Sequence, residues 1–327
     1  MPKPGTVAIP KIHLHCHLEG TLRSQTFVEL AAREGIAVSQ PPYAFTDFGG
    51  FLRVFTDICR VLLRPDDYAR LAREFASDAV GRGVVYGELF VSPSAWSYFH
   101  PELDLRASLR AIAAELRAVP NASFALIVDV TRNLGAESAM RTIDLAASCG
   151  DCGIVGIGLG GDEARFPAEL FADAFASARA LGLHTVAHAG EAAGAQSVRA
   201  AVEVLGAERV GHGVHAVDDA AVVTLLAERR IPLEICPTSN FRTGAVPPEA
   251  THPLFALHAA GVPVTIDADD PAIFGTSIDD EYRYVASLAG ADALHAMVGN
   301  AIEASFAGSQ LKEAMRAQLN LAGEVIV

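Results

Sequence analysis

Three histidines alternate near the start of the chain, in His13-Leu-His15-Cys-His17. Residues two apart on a β-strand point to the same side, so His15 and His17 can offer their rings to one cation from a single strand face. His13 shares that face one layer deeper, where a hydrogen-bonded core histidine is the expected role. Polar clusters recur downstream, in His188-Ala-Gly-Glu191, Gly211-His212-Gly213 and Asp267-Ala-Asp269-Asp270. Adding His188 and one of these aspartates to the His15/His17 pair gives nitrogen and oxygen donors from three separate segments. Such a set suits zinc with a position left for water, and iron or another divalent ion fits as well. If these were only satisfied core histidines, their placement beside Glu191 and Asp270 would have no explanation. His100, His184, His215, His252, His258 and His295 fall at strand starts, in loops or in helices, and are expected to be structural or exposed.

Positioning these groups requires strands that end close together. Short β-rich runs occur at Ile12–His17, Val84–Val91, Phe124–Thr131, Ile154–Leu159, His184–His188, Arg209–Gly211, Ile231–Cys236 and Val262–Asp267. Amphipathic helical stretches lie between most of them, at Leu109–Val119, Ala136–Ser148, Leu170–Leu181, Ser197–Leu205 and Ala220–Arg229. Eight strand–helix alternations predict an α/β fold, a (β/α)8 barrel of the TIM type, with a doubly wound sheet as the competing reading. The polar clusters then fall at strand C-terminal ends, where such barrels keep their chemistry. The stretch 21–82 is too long for one crossover and reads as a helical insertion after strand 1, broken at Pro41-Pro42 and Gly49-Gly50, lying over the mouth as a lid. The whole chain, 1–327, reads as one domain.

A formal charge of −14 argues against nucleic acid or an anionic membrane as partner, and favours a small neutral or cationic ligand. No apolar run approaches a membrane span, and the first ten residues lack a signal-peptide pattern, so a cytoplasmic location is expected. Five scattered cysteines do not suggest a disulfide framework, and Cys149-Gly-Asp-Cys152 has no second pair to complete a zinc site. The lysines are Lys3, Lys11 and Lys312 alone. None is placed to bridge two metals or form a Schiff base, which leaves a mononuclear, non-covalent mechanism. A cytidine-deaminase type of zinc site is disfavoured, because neither its His-x-Glu nor its Pro-Cys-x-x-Cys is present.

Taken in order, His15-Cys-His17-Leu-Glu-Gly20, Gly160-Gly-Asp-Glu163, His188-Ala-Gly-Glu191, Gly211-His212-Gly213, Cys236-Pro-Thr-Ser-Asn240 and Asp269-Asp270-Pro271 resemble the signature set of the adenosine deaminase family. The likeness runs from residue 11 to about residue 284. It implies one zinc held by His15, His17, His188 and Asp269, with Glu191 protonating the purine N1 and His212 orienting or deprotonating the attacking water. Asp270 and the backbone of Gly161 would contact the ring at N7 and N3. Glu19 stands where adenosine deaminases proper usually carry an aspartate on the ribose 5′-hydroxyl, and glutamate there is also frequent in relatives acting on free adenine or modified nucleosides. The substrate expected first is adenosine or 2′-deoxyadenosine, then 6-aminodeoxyfutalosine, then adenine. A barrel that binds without catalysing, and a metal-dependent ester or amide hydrolase, are the readings from other classes.

Overall fold

In this computed structural model, which describes residues 9–38 and 43–322, the β-rich runs form eight parallel strands. They are β1 (Lys11–His17), β2 (Val84–Val91), β3 (Ser123–Thr131), β4 (Ile154–Gly160), β5 (His184–Ala189), β6 (Arg209–His212), β7 (Leu233–Ile235) and β8 (Val264–Ile266). Their order in the sheet is their order in the chain. The last two are shorter than the sequence suggests because Pro232 and Pro263 lack an N–H and can only accept, from Val210 and Leu233. The ring is joined at the β8/β1 seam, where His17 N donates to Asp269 O at 2.9 Å and Asp269 N to His15 O at 3.1 Å. Just below, the Asp267 carboxylate takes the place of a strand backbone, accepting from Leu14 N and His15 N. The fold is therefore the (β/α)8 barrel.

Helices α1 (Ser24–Glu34), α2 (Phe48–Val61) and α3 (Pro65–Gly81) follow β1, and α4 (Pro93–Phe99) and α5 (Leu105–Arg117) follow β2. The next strands are each followed by one: α6 (Gly135–Ser148), α7 (Ala172–Ala180), α8 (Ala195–Glu203) and α9 (Ala220–Arg229). After β7 come α10 (Pro237–Thr243) and α11 (Leu254–Ala259), and after β8 come α12 (Pro271–Phe274), α13 (Ile278–Ala304) and α14 (Ser309–Leu321). The expected helix at Leu109 starts earlier, at Leu105, because Asp104 caps it by accepting from Ala107 N. Among the described residues no helix is long and apolar enough to cross a membrane.

The 21–82 stretch divides into two parts. Helix α3 is an ordinary outer helix packed along α5, with Phe75 against Phe124 and Arg73 paired to Glu115 at 2.6 Å. Only α1 and α2 are additional, and α2 faces the mouth. Gly49-Gly50 does not break the chain as expected. These residues form the first turn of α2, whose N-cap Asp47 accepts from Gly50 N at 2.7 Å; the polar side chain, not the glycines, sets the boundary. The other expected break, Pro41-Pro42, lies outside the described residues.

Most apolar burial lies between strands and helices, while Phe90, Ile127 and Val186 form a separate small cluster. Beside it runs a file of buried charges. Arg209 bonds Glu88 and Glu234 at 2.5 Å each, and Glu234 bonds His15 Nδ1 at 2.7 Å. Burial favours the neutral form of such groups, and only mutual pairing keeps them charged. Replacing Arg209 with methionine strands two carboxylates, and the expected loss is about 3–5 kcal/mol of stability, read as a lower urea midpoint; an unchanged midpoint would show that the file carries no such burden.

Candidate active site

Three ε-nitrogens and one carboxylate oxygen meet at the C-terminal mouth of the barrel. His17 Nε2 is 3.0 Å from His188 Nε2, and Asp269 Oδ1 lies 3.4 Å from His15 Nε2 and 3.5 Å from His17 Nε2. Ligands at ~2.0–2.1 Å from one zinc stand roughly 3.3 Å apart in a tetrahedron, so the spacing fits a single ion. Two of the outer nitrogens are held so that the inner ones stay free: His15 Nδ1 faces Glu234, and His188 Nδ1 donates to Leu159 O at 3.0 Å, while His17 Nδ1 is buried without a partner. Such backing orients a ligand ring and fixes its tautomer. His15 Nε2 is buried with no hydrogen-bond partner, as a ligand atom would be.

The electrostatics favour a cation here. Burial pushes His17 down to about 4, and burial together with the neighbouring His15, His17 and His212 rings takes His188 well below its ordinary value. Both rings are thus unprotonated, with lone pairs available. His15 goes the other way: burial pulls it down, but the Asp269 and Glu234 carboxylates on either side of the ring outweigh that and raise it. An imidazole between two carboxylates holds positive charge, whether a proton or a metal ion.

His212 and Asp269 both sit in left-handed backbone, at φ +61° and +60°. This conformation is uncommon for side-chain-bearing residues and costs about 1–3 kcal/mol each. It turns both chains out of the strand direction at the mouth, bringing Asp269 Oδ2 within 3.9 Å of His212 Nε2. Ser239 Oγ donates to that same carboxylate oxygen at 2.6 Å. Gly211 is required next to them, because a Cβ there would run into the His15 ring.

Glu191 Oε2 is 3.5 Å from His212 Nε2. Burial, then the charges of Asp269 and Glu163, raise the Glu191 carboxyl well above its usual value, which favours its protonated form. The loop beneath it is clamped by Glu163, which accepts from the backbone N–H groups of Gly190, Glu191, Ala192 and Ala193 at 2.6–3.1 Å and from the Ser197 hydroxyl. Asp270 is buried with both carboxylate oxygens unpartnered, and Gly161 lines the same cavity.

Of the residues singled out from the sequence, His15, His17, His188, Glu191, His212, Asp269, Asp270 and Gly161 come together. Glu19 does not join them at the surface of the cavity. It is fully buried behind the wall, where Oε1 accepts from Ser92 N at 2.8 Å and Trp96 Nε1 at 2.7 Å, and it braces α4. His13 is a buried core histidine accepting from Ala268 N. Lys11 pairs with Asp279 and Lys312 donates to Glu303 O, both away from the mouth, while Lys3 lies outside the described residues. Cys149 and Cys152 are free thiols.

Sequence reasoning passed over Asp129, Glu88, Arg209 and Glu234. Asp129 lines the cavity with one oxygen unpartnered, and burial pushes its carboxyl up to about 8. Asp129, Glu88 and Glu234 each stand as a lone charge in an apolar strand run, which is a legible signal; Arg209, beside Glu208 at the start of its strand, carries none.

Residues 10–321 match the family model described as Adenosine deaminase. The chain is 36% identical over 323 residues to an adenine deaminase of Cupriavidus taiwanensis, covering 95% of this chain and 91% of that one. It is 39% identical over 315 residues to an aminodeoxyfutalosine deaminase of Streptomyces coelicolor, covering 91% and 80%. It also superposes on a crystal structure of an amidohydrolase from Burkholderia ambifaria with bound Zn, at a TM-score of 0.89 and 29% identity, covering 95% and 90%.

Two outcomes are expected of this centre. Stripping the metal with a chelator should lower the melting temperature, and one equivalent of zinc per chain should restore it, because a ligand that binds only the folded state stabilises it. Gly211→Ala, by displacing the His15 ring, should weaken zinc retention in equilibrium dialysis; undiminished retention would remove His15 from the ligand set.

Proposed function

The chain belongs to the adenosine deaminase family, and from that premise we propose that it hydrolyses the 6-amino group of a purine nucleoside, adenosine or 2′-deoxyadenosine first, releasing ammonia. The observation that carries this choice is the cavity above the centre. It measures about 370 Å³ and is walled by Phe48, Phe51, Leu52 and Phe55 of α2 with Tyr98 and Phe99 of α4. Such a volume lies in the range of pockets for drug-sized ligands and exceeds what a bare purine fills. No Lys or Arg is among its described lining residues, which favours a neutral nucleoside over a phosphorylated one. The Streptomyces relative favours 6-aminodeoxyfutalosine as the second reading, and the aromatic wall suits a substituent bulkier than ribose. Free adenine, the substrate in the name of the Cupriavidus relative, leaves the upper cavity unfilled.

In this reading His15, His17, His188 and Asp269 would hold a zinc ion, which when bound would supply Lewis acidity beside C6. The remaining chemistry belongs to the chain. Glu191, kept protonated by burial, gives its proton to N1, drawing electron density from C6. Asp270 and the Gly161 backbone hold the ring edge at N7 and N3. His212 and Asp269 hold the attacking water; of its two protons one leaves with the amine as ammonia and the other restores Glu191. The aromatic face of α2 excludes bulk solvent.

Glu191→Gln should retain one zinc per chain and lose about 10²–10⁴-fold in kcat; full activity would remove the assigned acid. Comparing kcat/KM for ammonia release from adenosine, 2′-deoxyadenosine, 6-aminodeoxyfutalosine and adenine tests the substrate order. A preference for adenine would mean that the cavity walls do not select a nucleoside.

A further inference from the structure

Behind His212, on the side away from Glu191, lies a file of buried polar groups that the chemistry above does not use. Asn240 Nδ2 is 3.0 Å from His212 Nδ1, Asn240 Oδ1 is 3.2 Å from His252 Nε2, and Leu254 N–H reaches His252 Nδ1 at 3.1 Å. Asn240, in α10, and His252, just before α11, are both buried. Two imidazoles and an amide can each be turned or protonated in more than one way. One end of the file admits no such freedom, because a backbone N–H can only donate.

The remaining assignments follow from that end. His252 Nδ1 accepts from Leu254, so the neutral ring carries its proton on Nε2. That proton is donated to Asn240, and the atom receiving it must be the amide oxygen. The amide NH2 is thereby turned toward His212, whose Nδ1 must accept. The proton of His212 then resides on Nε2, the nitrogen that faces Glu191 at 3.5 Å and Asp269 at 3.9 Å.

We propose that Asn240 and His252 are positioning residues that set His212 in its Nε2–H tautomer and make it a hydrogen-bond donor inside the site. Two consequences follow. His212 stands among His15, His188 and Asp269 in a group whose geometry could hold a metal, yet with a proton on Nε2 it has no lone pair there to give, and it stays out of the ligand set. Within the deaminase reading, on which this second consequence rests, His212 holds the attacking oxygen by donating to it. Acting as a base would require its proton on Nδ1, pointing into the NH2 of Asn240.

The test is a long-range 1H–15N correlation spectrum of the zinc-loaded protein labelled at histidine, with the His212 signals identified by their loss in His212→Gln. An Nε2–H pattern for both His212 and His252 is expected; an Nδ1–H or doubly protonated His212 would overturn the assignment, and this spectrum needs no folded variant at Asn240. Asn240→Asp offers His212 an acceptor instead of a donor. It should convert His212 to Nδ1–H and lower kcat by about a hundredfold or more, with zinc content and KM little changed. An unaltered tautomer or an unaltered kcat in that variant would overturn the positioning role. A wild-type protein with the Nε2–H pattern but no turnover of any 6-aminopurine would sink the deaminase reading and leave the tautomer assignment standing.

Discussion

The barrel depends on a file of buried charge that runs from Glu88 through Arg209 and Glu234 to His15. A guanidinium and two carboxylates inside a barrel persist because each helps to satisfy the others, with Tyr86 Oη and Phe306 N also donating to Glu88 and Arg209 also donating to Ala304 O. The count is not neutral: two carboxylates face one guanidinium, and Asp269 adds a further negative charge at the top. The imbalance is made good at His15, where the file ends at a ring held between Glu234 and Asp269. Four strands contribute to the file, so the demand for a cation at the mouth is built into the body of the barrel as well as into its ligands. Structural stability and metal binding are consequently properties of one electrostatic unit.

The seam between β8 and β1 couples the site to the fold in a second way. His15, His17 and Asp269 are joined by the backbone hydrogen bonds that close the ring, so these three side chains reach their places as the barrel forms. The backbone at Asp269 and His212 pays in strain for the outward turn that puts both side chains over the same spot. The neighbouring Asp270 needs clearance of its own, and Gly20 gives it, since a Cβ there would overlap the Asp270 carboxylate. The result is a rigid floor whose polar groups need little reorganisation.

Much of this was legible without coordinates. The eight strands stand out because short β-branched runs alternate with long amphipathic ones, and His15 with His17 declares a strand face by its spacing of two. Motif order supplied the companions on β5, β6 and β8. Other features depend on three-dimensional proximity that no local pattern records. Glu19 reads as a substrate contact by position, but Trp96 and Ser92, more than seventy residues away, draw it behind the wall. Gly49-Gly50 reads as a break by composition, whereas the Asp47 cap makes it a helix start. His252 reads as an unremarkable loop residue, and only the fold shows that it stands two bonds behind His212.

The aromatic wall has a consequence for how such an enzyme can change. Helices α1 and α2 are additions between β1 and the outer helix α3, and they contribute neither a barrel strand nor a residue of the strand-end cluster. The strand-end cluster of histidines and carboxylates and the aromatic wall of the cavity are therefore written in separable stretches of chain. Apart from Phe55, which meets the His17 ring edge-on, residues of α2 can be exchanged without touching the charge file or the seam, so a lineage built on this plan can acquire a new preference in small steps while its reaction stays the same. Relatives with recognisably the same chain and different named substrates are what that division of labour allows.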